Sequence, residues 1–279
     1  MREVLAPNRA RTFSEAERLD GIVFDVAGGE AALHTSRSPD GESANEDSAA
    51  LLVTGADSAL LAVADGMGGA RAGHRASAEA IRCLVEAVQA AVGSGASARS
   101  GIIDGFERAN QVVLDLGVGA ATTLSAVEIS DATVRPYHVG DSFVLIAGQR
   151  GRIKLQTIPH SPVGYGIESG LLDEHAAMHH EERHLVSNAI GSAEMRIDVG
   201  APRVLAPHDT LVLASDGLSD NLRTSEIVEC VRRGPLESAS RELLRLAEQR
   251  MRSGHTASAD PSKPDDLTFL IYRRRQRRG

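Results

Sequence analysis

Acidic residues that could bind a metal ion recur in five short segments that lie far apart in the sequence. Each segment delivers an aspartate or glutamate at the end of an apolar run or within a polar or glycine turn, at 45–47, 63–69, 139–142, 214–217 and 264–268. Carboxylates gathered in one place repel each other, and burial strengthens that repulsion. Hard oxygen ligands of this type suit magnesium or manganese rather than zinc. The pattern therefore predicts a metal-dependent hydrolase.

Two of these segments have the same form, an apolar strand followed by Asp-Gly. They are Asp65-Gly66 and Asp216-Gly217. Glycine lets the backbone approach an ion closely, and the carbonyl of Gly66 could itself be a ligand. A single Asp-Gly pair is an ordinary turn. Here the Asp-Gly pair recurs at the ends of two predicted strands. The third segment adds Gly-Asp-Ser and the last adds Asp-Asp, and this combination favours a single shared site. Asp220 lies within reach of the same region.

The elements that must position these residues follow from the apolar spacing. Short apolar runs between turns predict strands, and residues repeating at three- and four-residue steps predict helices. Strands are predicted at 31–34, 49–53, 60–64, 123–127, 133–137, 143–146, 154–158, 211–214 and 267–272, and helices at 73–91, 97–116, 224–233 and 237–252. Helices that come in pairs disfavour a doubly wound parallel sheet. They fit an antiparallel sandwich covered by helix pairs.

Composition limits the possible partners. The chain has 279 residues, enough for one large domain, and its net charge of −8 argues against nucleic acid as a ligand. Aromatic residues are 3% of the chain, so no platform for stacking bases is expected. Cys83 and Cys230 lie in apolar, helix-like stretches, which is typical of free thiols in a reducing compartment. No signal-peptide pattern or membrane span is evident. We therefore expect a cytoplasmic protein with no membrane partner.

The five segments, in this order and spacing, resemble the metal-dependent protein serine/threonine phosphatases of the protein phosphatase 2C family, bacterial type. The likeness extends over roughly residues 30–273. It implies an α+β fold, a four-layer αββα sandwich of two antiparallel sheets flanked by pairs of helices. Independently of the resemblance, residues 1 to about 20 are typical of a loose arm or a short helix. We therefore divide the chain into an N-terminal arm at 1–25, a phosphatase domain at 26–273 with a flap at about 159–190, and a basic tail at 274–279.

The resemblance further implies a centre of two Mn²⁺ or Mg²⁺ ions. Asp65 would bridge both ions, the Gly66 carbonyl would contribute, and Asp216 and Asp265 would complete the first site. Glu46 and Asp47 would hold the second ion, partly through water.

A third, weaker site is also implied, formed by Asp141 with Asp216 and Asp220. A metal-bridging hydroxide, held through Asp65, Asp216 and Asp265, would hydrolyse phosphoserine or phosphothreonine on a protein that a serine/threonine kinase has phosphorylated.

Phosphate binding departs from the family pattern. Many members have an arginine three positions before the Asn of Asn-Glu-Asp, and this chain has Glu42 there. Arg37 is therefore predicted to bind the substrate phosphate. Met67 stands where eukaryotic members often have histidine. His160 could then protonate the leaving group, although a histidine exposed on a loop is the simpler expectation.

Other interpretations stay open at this stage. His180 and His184, with His175 and His179 nearby, have a spacing that could suit zinc, but a polar, exposed flap is the much better explanation. The chain could also be a non-catalytic or weakly active regulatory module of the same fold. A third alternative is another two-metal phosphoester hydrolase.

Overall fold

The computed structural model describes residues 2–14, 16, 18–41, 44–67, 72–117, 119–253 and 262–275. Glu42 and the glycines at 68 and 69 lie outside the described residues, as does most of the basic tail.

Fifteen strands and seven helices make up the described chain. The strands are β1 (Arg2–Val4), β2 (Ala10–Ser14), β3 (Arg18–Val26), β4 (Gly29–Ser36), β5 (Asp47–Gly55), β6 (Ser58–Met67), β7 (Ala121–Thr122), β8 (Leu124–Ser130), β9 (Thr133–Val139), β10 (Phe143–Ala147), β11 (Ile153–Gln156), β12 (Asp198–Val199), β13 (Arg203–Val204), β14 (Thr210–Ala214) and β15 (Leu267–Arg274). The helices are α1 (Ala72–Gly93), α2 (Ala98–Asp115), α3 (Pro162–Glu168), α4 (Glu174–Met178), α5 (Asp216–Ser219), α6 (Thr224–Val231) and α7 (Leu236–Arg252).

The strands form two sheets. One sheet has the order β1-β3-β4-β15-β14-β10-β11, and the other has the order β12-β9-β8-β6-β5-β2, with β13 beside β9 and β7 beside β6. All strand pairs in the described residues are antiparallel except β1 with β3. The predicted α+β fold with two antiparallel sheets is confirmed, apart from this one parallel edge pair.

Successive side chains of a strand point to opposite faces of its sheet, and the apolar side chains form three buried clusters. On β5, Leu51 and Val53 face the other sheet, whereas Ala50 and Leu52 face α1 and α2. A third apolar cluster joins the opposite sheet to α6 and α7, with Leu243 fully buried. Strands buried on both faces in this way read as nearly continuous apolar runs, which is why their positions were predictable from sequence.

The N-terminal segment is not a loose arm or a short helix, so that expectation for 1–25 is wrong. β1 and β3 extend one sheet, and β2 pairs with β5 in the other. Phe13 and Phe24 from these strands are buried between the sheets, with ring centroids 6.0 Å apart. Charged residues at the outward-facing positions dilute the apolar pattern, so the period-2 signal is weak in the sequence.

Both cysteines are free, Cys83 buried and Cys230 partly buried. Across the described ranges, no helix combines the length and apolar character needed to cross a membrane.

Candidate metal centre

The first two carboxylates face each other across a strand pair. Asp47 begins β5 and Asp65 lies near the end of β6, and the antiparallel register places them directly opposite. Like charges in that relation destabilise a sheet. The adjacent Glu46 is joined to the same strand end by the hydrogen bond that the Gly66 N–H donates to its carbonyl, at 3.2 Å. Two strands therefore bring three acidic side chains to one end of the sandwich.

Gly66 is required by close packing rather than by an unusual backbone angle. A Cβ at this position would lie 2.2 Å from the carbonyl oxygen of Gly73 and 2.8 Å from that of Glu46. No larger residue fits without moving backbone. The glycine thus lets the start of α1 approach the acidic strand ends.

The opposite sheet contributes Asp216 and Asp265. Asp216 is the first residue of α5, two positions after the end of β14, and Asp265 lies two positions before the start of β15, the neighbouring strand. The hydroxyl of Ser215 donates to Asp47 Oδ2 at 2.8 Å and so links this sheet to the first pair of carboxylates. Asp220 follows one turn later, where its amide donates to the Asp216 carbonyl at 2.7 Å.

Asp141 lies in the turn between β9 and β10. Gly140 has φ +103°, a conformation that favours glycine. The turn is tied to the other carboxylates through Thr123, whose hydroxyl is 2.6 Å from that of Ser142 and accepts the Asp65 N–H at 2.9 Å. The structure thus brings together all the predicted metal-binding residues, namely Glu46, Asp47, Asp65, Gly66, Asp141, Asp216, Asp220 and Asp265.

Electrostatics show how costly this gathering is. Burial, and then repulsion from neighbouring carboxylates, raises the pKa of Asp141 to about 8 and of Asp265 to about 7. The same causes raise the pKa of Asp47 and of Asp65 well above the usual range. One buried oxygen, Asp47 Oδ1, accepts no hydrogen bond from the residues that the structure describes. Buried carboxylates in this state call for cations.

Asp266 fixes the adjoining loop. Its two carboxylate oxygens accept the N–H groups of Ser38, at 2.7 Å, and of Glu46, at 2.6 Å. This clamp holds the segment carrying Arg37 beside the acidic strand ends. The Arg37 side chain is exposed, and within the described residues it has no ion-pair partner.

Sequence reasoning missed a cation inside the cluster. The ammonium of Lys263 lies 2.8 Å from Asp216 Oδ2, 2.7 Å from Asp220 Oδ2 and 2.9 Å from Asp265 Oδ2. Burial alone would lower the pKa of Lys263, but the three carboxylates raise it above its ordinary value. Conversely, burial would raise the pKa of Asp216, and Lys263 holds it below its usual range. The only sequence signal was a lysine two residues before Asp265.

A cavity of about 250 Å³ adjoins the carboxylates on the side of residues 159–190. Asp141, Asp216 and Asp220 line one side, and Val163 and Arg183 are among the residues that close it. Arg183 is half-buried and donates to the Met178 carbonyl at 2.5 Å. The charged residues around it, Glu181, Glu182 and His184, are typical of a solvated loop, so Arg183 is a second cation beside the centre that sequence reasoning missed.

His160 does not lie on an exposed loop, so that expectation is wrong. It is 3% exposed, and its Nδ1 accepts both the Gly140 N–H, at 3.1 Å, and the Asn188 amide, at 2.9 Å. Asn188 is oriented by its own hydrogen bonds to the Arg196 backbone. The proton of His160 therefore sits on Nε2, which lies 3.2 Å from Asp198. His160 supports the Asp141 turn and does not face the carboxylates.

The zinc interpretation of the flap histidines receives no support. Among the described residues, the group whose ligand atoms come together is His138, His160 and Asp198, not His180 and His184. In that group, His160 Nδ1 is occupied as an acceptor and Nε2 carries the proton, so neither nitrogen offers a lone pair to a metal. We assign the group a structural role.

Comparison with known proteins agrees with this geometry. The sequence profile of Protein phosphatase 2C matches residues 36–255. A putative protein phosphatase 2C-type from Streptococcus pyogenes is 33% identical over 199 residues, which is 68% of this chain and 80% of the relative. The S. agalactiae serine/threonine phosphatase superposes with a TM-score of 0.73 at 27% identity, covering 88% of this chain and 100% of that one.

A further structure shares the fold. It is the catalytic domain of the serine threonine protein phosphatase PstP in complex with two manganese ions, with a TM-score of 0.64 and 24% identity, over 87% of this chain and 96% of that one. Since the family profile spans most of the chain and these relatives share both sequence and architecture, the chain belongs to the protein phosphatase 2C family and is a protein serine/threonine phosphatase.

Proposed function

We propose that this protein hydrolyses phosphoserine and phosphothreonine on protein substrates with the help of two divalent cations, Mn²⁺ or Mg²⁺. One observation carries the proposal: carboxylates from both sheets meet at one end of the sandwich, where burial and mutual repulsion raise the pKa of most of them. Such a cluster is stable in its ionised form only when cations offset it. Its oxygen donors are those that Mg²⁺ and Mn²⁺ prefer.

The residues present fit a pair of ions. Asp65, the carbonyl of Gly66, Asp216 and Asp265 would hold one ion, and Asp65 would be shared with a second ion held by Glu46 and Asp47. Asp47 Oδ1, which has no hydrogen-bond partner among the described residues, and the close backbone approach that Gly66 permits support this fit. When bound, the ions would lower the pKa of a bound water and offset charge on the phosphoryl oxygens.

The chain's own residues orient the ligands. Ser215 holds Asp47 through its hydroxyl, and Thr123 holds the Asp65 backbone. We assign Asp266 a positioning role, because its two oxygens accept backbone N–H groups and fix the loop beside Glu46. Side chains fixed in this way need little reorganisation when charge develops on the substrate.

Two arginines could bind the phosphate. Arg37 is exposed beside the Asp266 clamp, and Arg183 lines the cavity next to Asp216 and Asp220. A guanidinium can contact two phosphate oxygens at once, which would position the phosphoryl group. We assign phosphate binding to Arg37, because the Asp266 clamp holds its segment beside Glu46. We assign Arg183 to the substrate residues that enter the cavity. The relatives' names support a phosphoprotein substrate, and its phosphorylation by a serine/threonine kinase is part of the proposal.

The test is phosphate release from a phosphothreonine peptide. We expect release with Mn²⁺, none with chelator, and a loss of at least 100-fold in Asp216→Asn, since such electrostatic groups typically contribute factors of that order. Asp104→Asn, on the exposed side of α2, is the matched control and should keep full activity.

Two results would contradict the proposal. One is release that is unchanged by chelator. The other is release from a nucleotide or from DNA with none from any phosphopeptide, which would indicate the alternative two-metal hydrolase.

A further inference from the structure

The ammonium of Lys263 has the environment of a bound cation. It donates hydrogen bonds to Asp216 Oδ2 at 2.8 Å and to Asp220 Oδ2 at 2.7 Å, and it forms an ion pair with Asp265 Oδ2 at 2.9 Å. An ammonium has three donors and no acceptor, and its three polar contacts here are all with carboxylate oxygens. Each aspartate contributes only Oδ2 to the lysine, and its Oδ1 lies outside these contacts.

Hydrogen bonds to the Lys263 backbone hold the residue in this position. The side chain of Asn221, which is fully buried, accepts the Lys263 N–H at 2.9 Å and donates to the Lys263 carbonyl at 2.8 Å. Asn221 also donates to the carbonyl of Gly217 at 2.9 Å. The turn that carries Asp216 and Asp220 therefore holds the lysine that neutralises them.

A lysine that simply lies on the surface would differ in two ways. Its head would be solvated, whereas the Lys263 side chain is 23% exposed. Its partners would be exposed as well, whereas the side chains of Asp216 and Asp220 are 18% and 15% exposed. Lysine is a compact point charge on a flexible stem, which suits it to take the place of an ion.

We propose that Lys263 is a tethered cation that occupies the third cation position of the centre, so that this protein binds two divalent ions where a chain lacking the lysine would bind three. The inference rests on the proposed two-ion centre. A tethered ammonium is present at a high effective concentration and cannot diffuse away. The Lys263 ammonium therefore offsets the negative charge on Oδ2 of Asp216, Asp220 and Asp265 at every metal concentration. Among the described residues, no lysine or arginine pairs with Asp65, Glu46 or Asp47, although the imidazole of His74 lies near Glu46.

The experiment counts ions. Wild type and Lys263→Met are equilibrated with Mn²⁺, and the bound metal per chain is measured by dialysis and elemental analysis. Lys154→Met is a matched control, because Lys154 is the only other lysine of the chain and also pairs with a buried aspartate, Asp209, at 2.6 Å. We expect two ions in wild type and in Lys154→Met, and three in Lys263→Met. Adding Asp220→Asn to Lys263→Met should return the count to two.

Stability gives a second readout that does not depend on activity. In chelator, each lysine variant leaves buried carboxylates uncompensated, and we expect the melting temperature to fall by on the order of 5–15 °C in both. Excess Mn²⁺ should restore Lys263→Met relative to wild type, because an ion can replace the lost ammonium. It should not restore Lys154→Met. Lys263→Arg keeps a cation in place and should bind two ions.

The outcomes separate this inference from the proposed function. Three ions in wild type, or no additional ion in Lys263→Met, would overturn the role of Lys263 while leaving the phosphatase proposal intact. No bound ion in any variant would instead overturn the proposed metal centre itself. If Lys263→Met fails to fold in chelator, the ion count on protein purified with Mn²⁺ still decides the question.

Discussion

Asp141 should make the metal-free protein less stable as the pH rises. Burial, and then the charges of Asp216 and Asp220, raises the pKa of Asp141 to about 8 in the folded state. In the unfolded chain the value is about 3.9. Between these values the unfolded chain releases a proton that the folded chain keeps. The carboxyl's contribution to folding is therefore fully favourable only below about pH 4 and is lost as the pH rises towards 8.

The size of the effect follows from the width of that interval. Each pH unit shifts the free energy of unfolding by about 1.4 kcal/mol, so roughly four units correspond to about 5 kcal/mol. This is an upper value, because Asp216 and Asp220 titrate in the same field. It is comparable with the whole stability of a typical domain, about 5–15 kcal/mol.

The assay is urea unfolding of wild type and Asp141→Asn in chelator at pH 5, 6 and 7. Groups common to both proteins cancel in the difference. From pH 5 to pH 7, the asparagine variant should gain about 2–3 kcal/mol relative to wild type. Saturating Mn²⁺ should remove most of this gain, because ions that bind only the folded state stabilise it.

A difference that stays constant between pH 5 and pH 7 would refute the reasoning. The reasoning would also be refuted if Asp104→Asn, which removes one exposed carboxylate on α2, changed the free energy of unfolding with the same dependence on pH. Either result would mean that the carboxylates at the strand ends are not desolvated by the fold.

Three further outcomes are expected. Gly66→Ala should destabilise the protein by about 1–3 kcal/mol in urea unfolding and weaken Mn²⁺ binding in calorimetry, because its Cβ would meet the Gly73 carbonyl at 2.2 Å. Arg37→Ala should raise KM for p-nitrophenyl phosphate and for a phosphopeptide alike, whereas Arg183→Ala should raise it for the peptide only, and the reverse pattern would exchange their assignments. Burial lowers the pKa of His34 to about 4. Its contribution to stability is therefore present above about pH 6.5 and lost as the pH falls towards 4, so His34→Gln should gain about 2 kcal/mol relative to wild type between pH 6.5 and pH 5 in urea unfolding.

The sequence predicted the framework of the site because the signals were local. Buried strands such as β6 and β14 are short apolar runs, and an Asp-Gly pair follows each apolar run, within β6 and two positions after the end of β14, so the same signal indicated both strand and ligand. The helix predicted at 73–91 is α1, Ala72–Gly93. Spacing alone could not show that Asp47 and Asp65 lie opposite each other, since that depends on the register between two strands. That Asp47 and Asp65 belong to one site was predicted only from the order of the motifs, through their resemblance to a family.

The residues that sequence reasoning missed have no local signal. Lys263 is a single charged residue in a polar turn, and its place in the cluster depends on Asn221, which is 42 residues away. Arg183 lies between glutamate and histidine in a stretch that is typical of an exposed loop. The strands β1 to β3 alternate apolar residues with arginine and aspartate too irregularly to be separated from a loose arm.

The charges of the centre are compensated unevenly, and this unevenness has a consequence for metal binding. On the side of Asp216 and Asp220, an ammonium already offsets the carboxylates. On the other side, no lysine or arginine among the described residues pairs with Asp47 or Asp65, and none of those residues donates a hydrogen bond to Asp47 Oδ1. A divalent ion therefore relieves more repulsion between Asp47 and Asp65 than beside Asp220. The strand register places Asp47 opposite Asp65, so a bound cation stabilises the protein most at this pair. Because Lys263 already offsets the charges of Asp216 and Asp220, we expect divalent ions to bind mainly in the part of the cluster where phosphate hydrolysis is proposed.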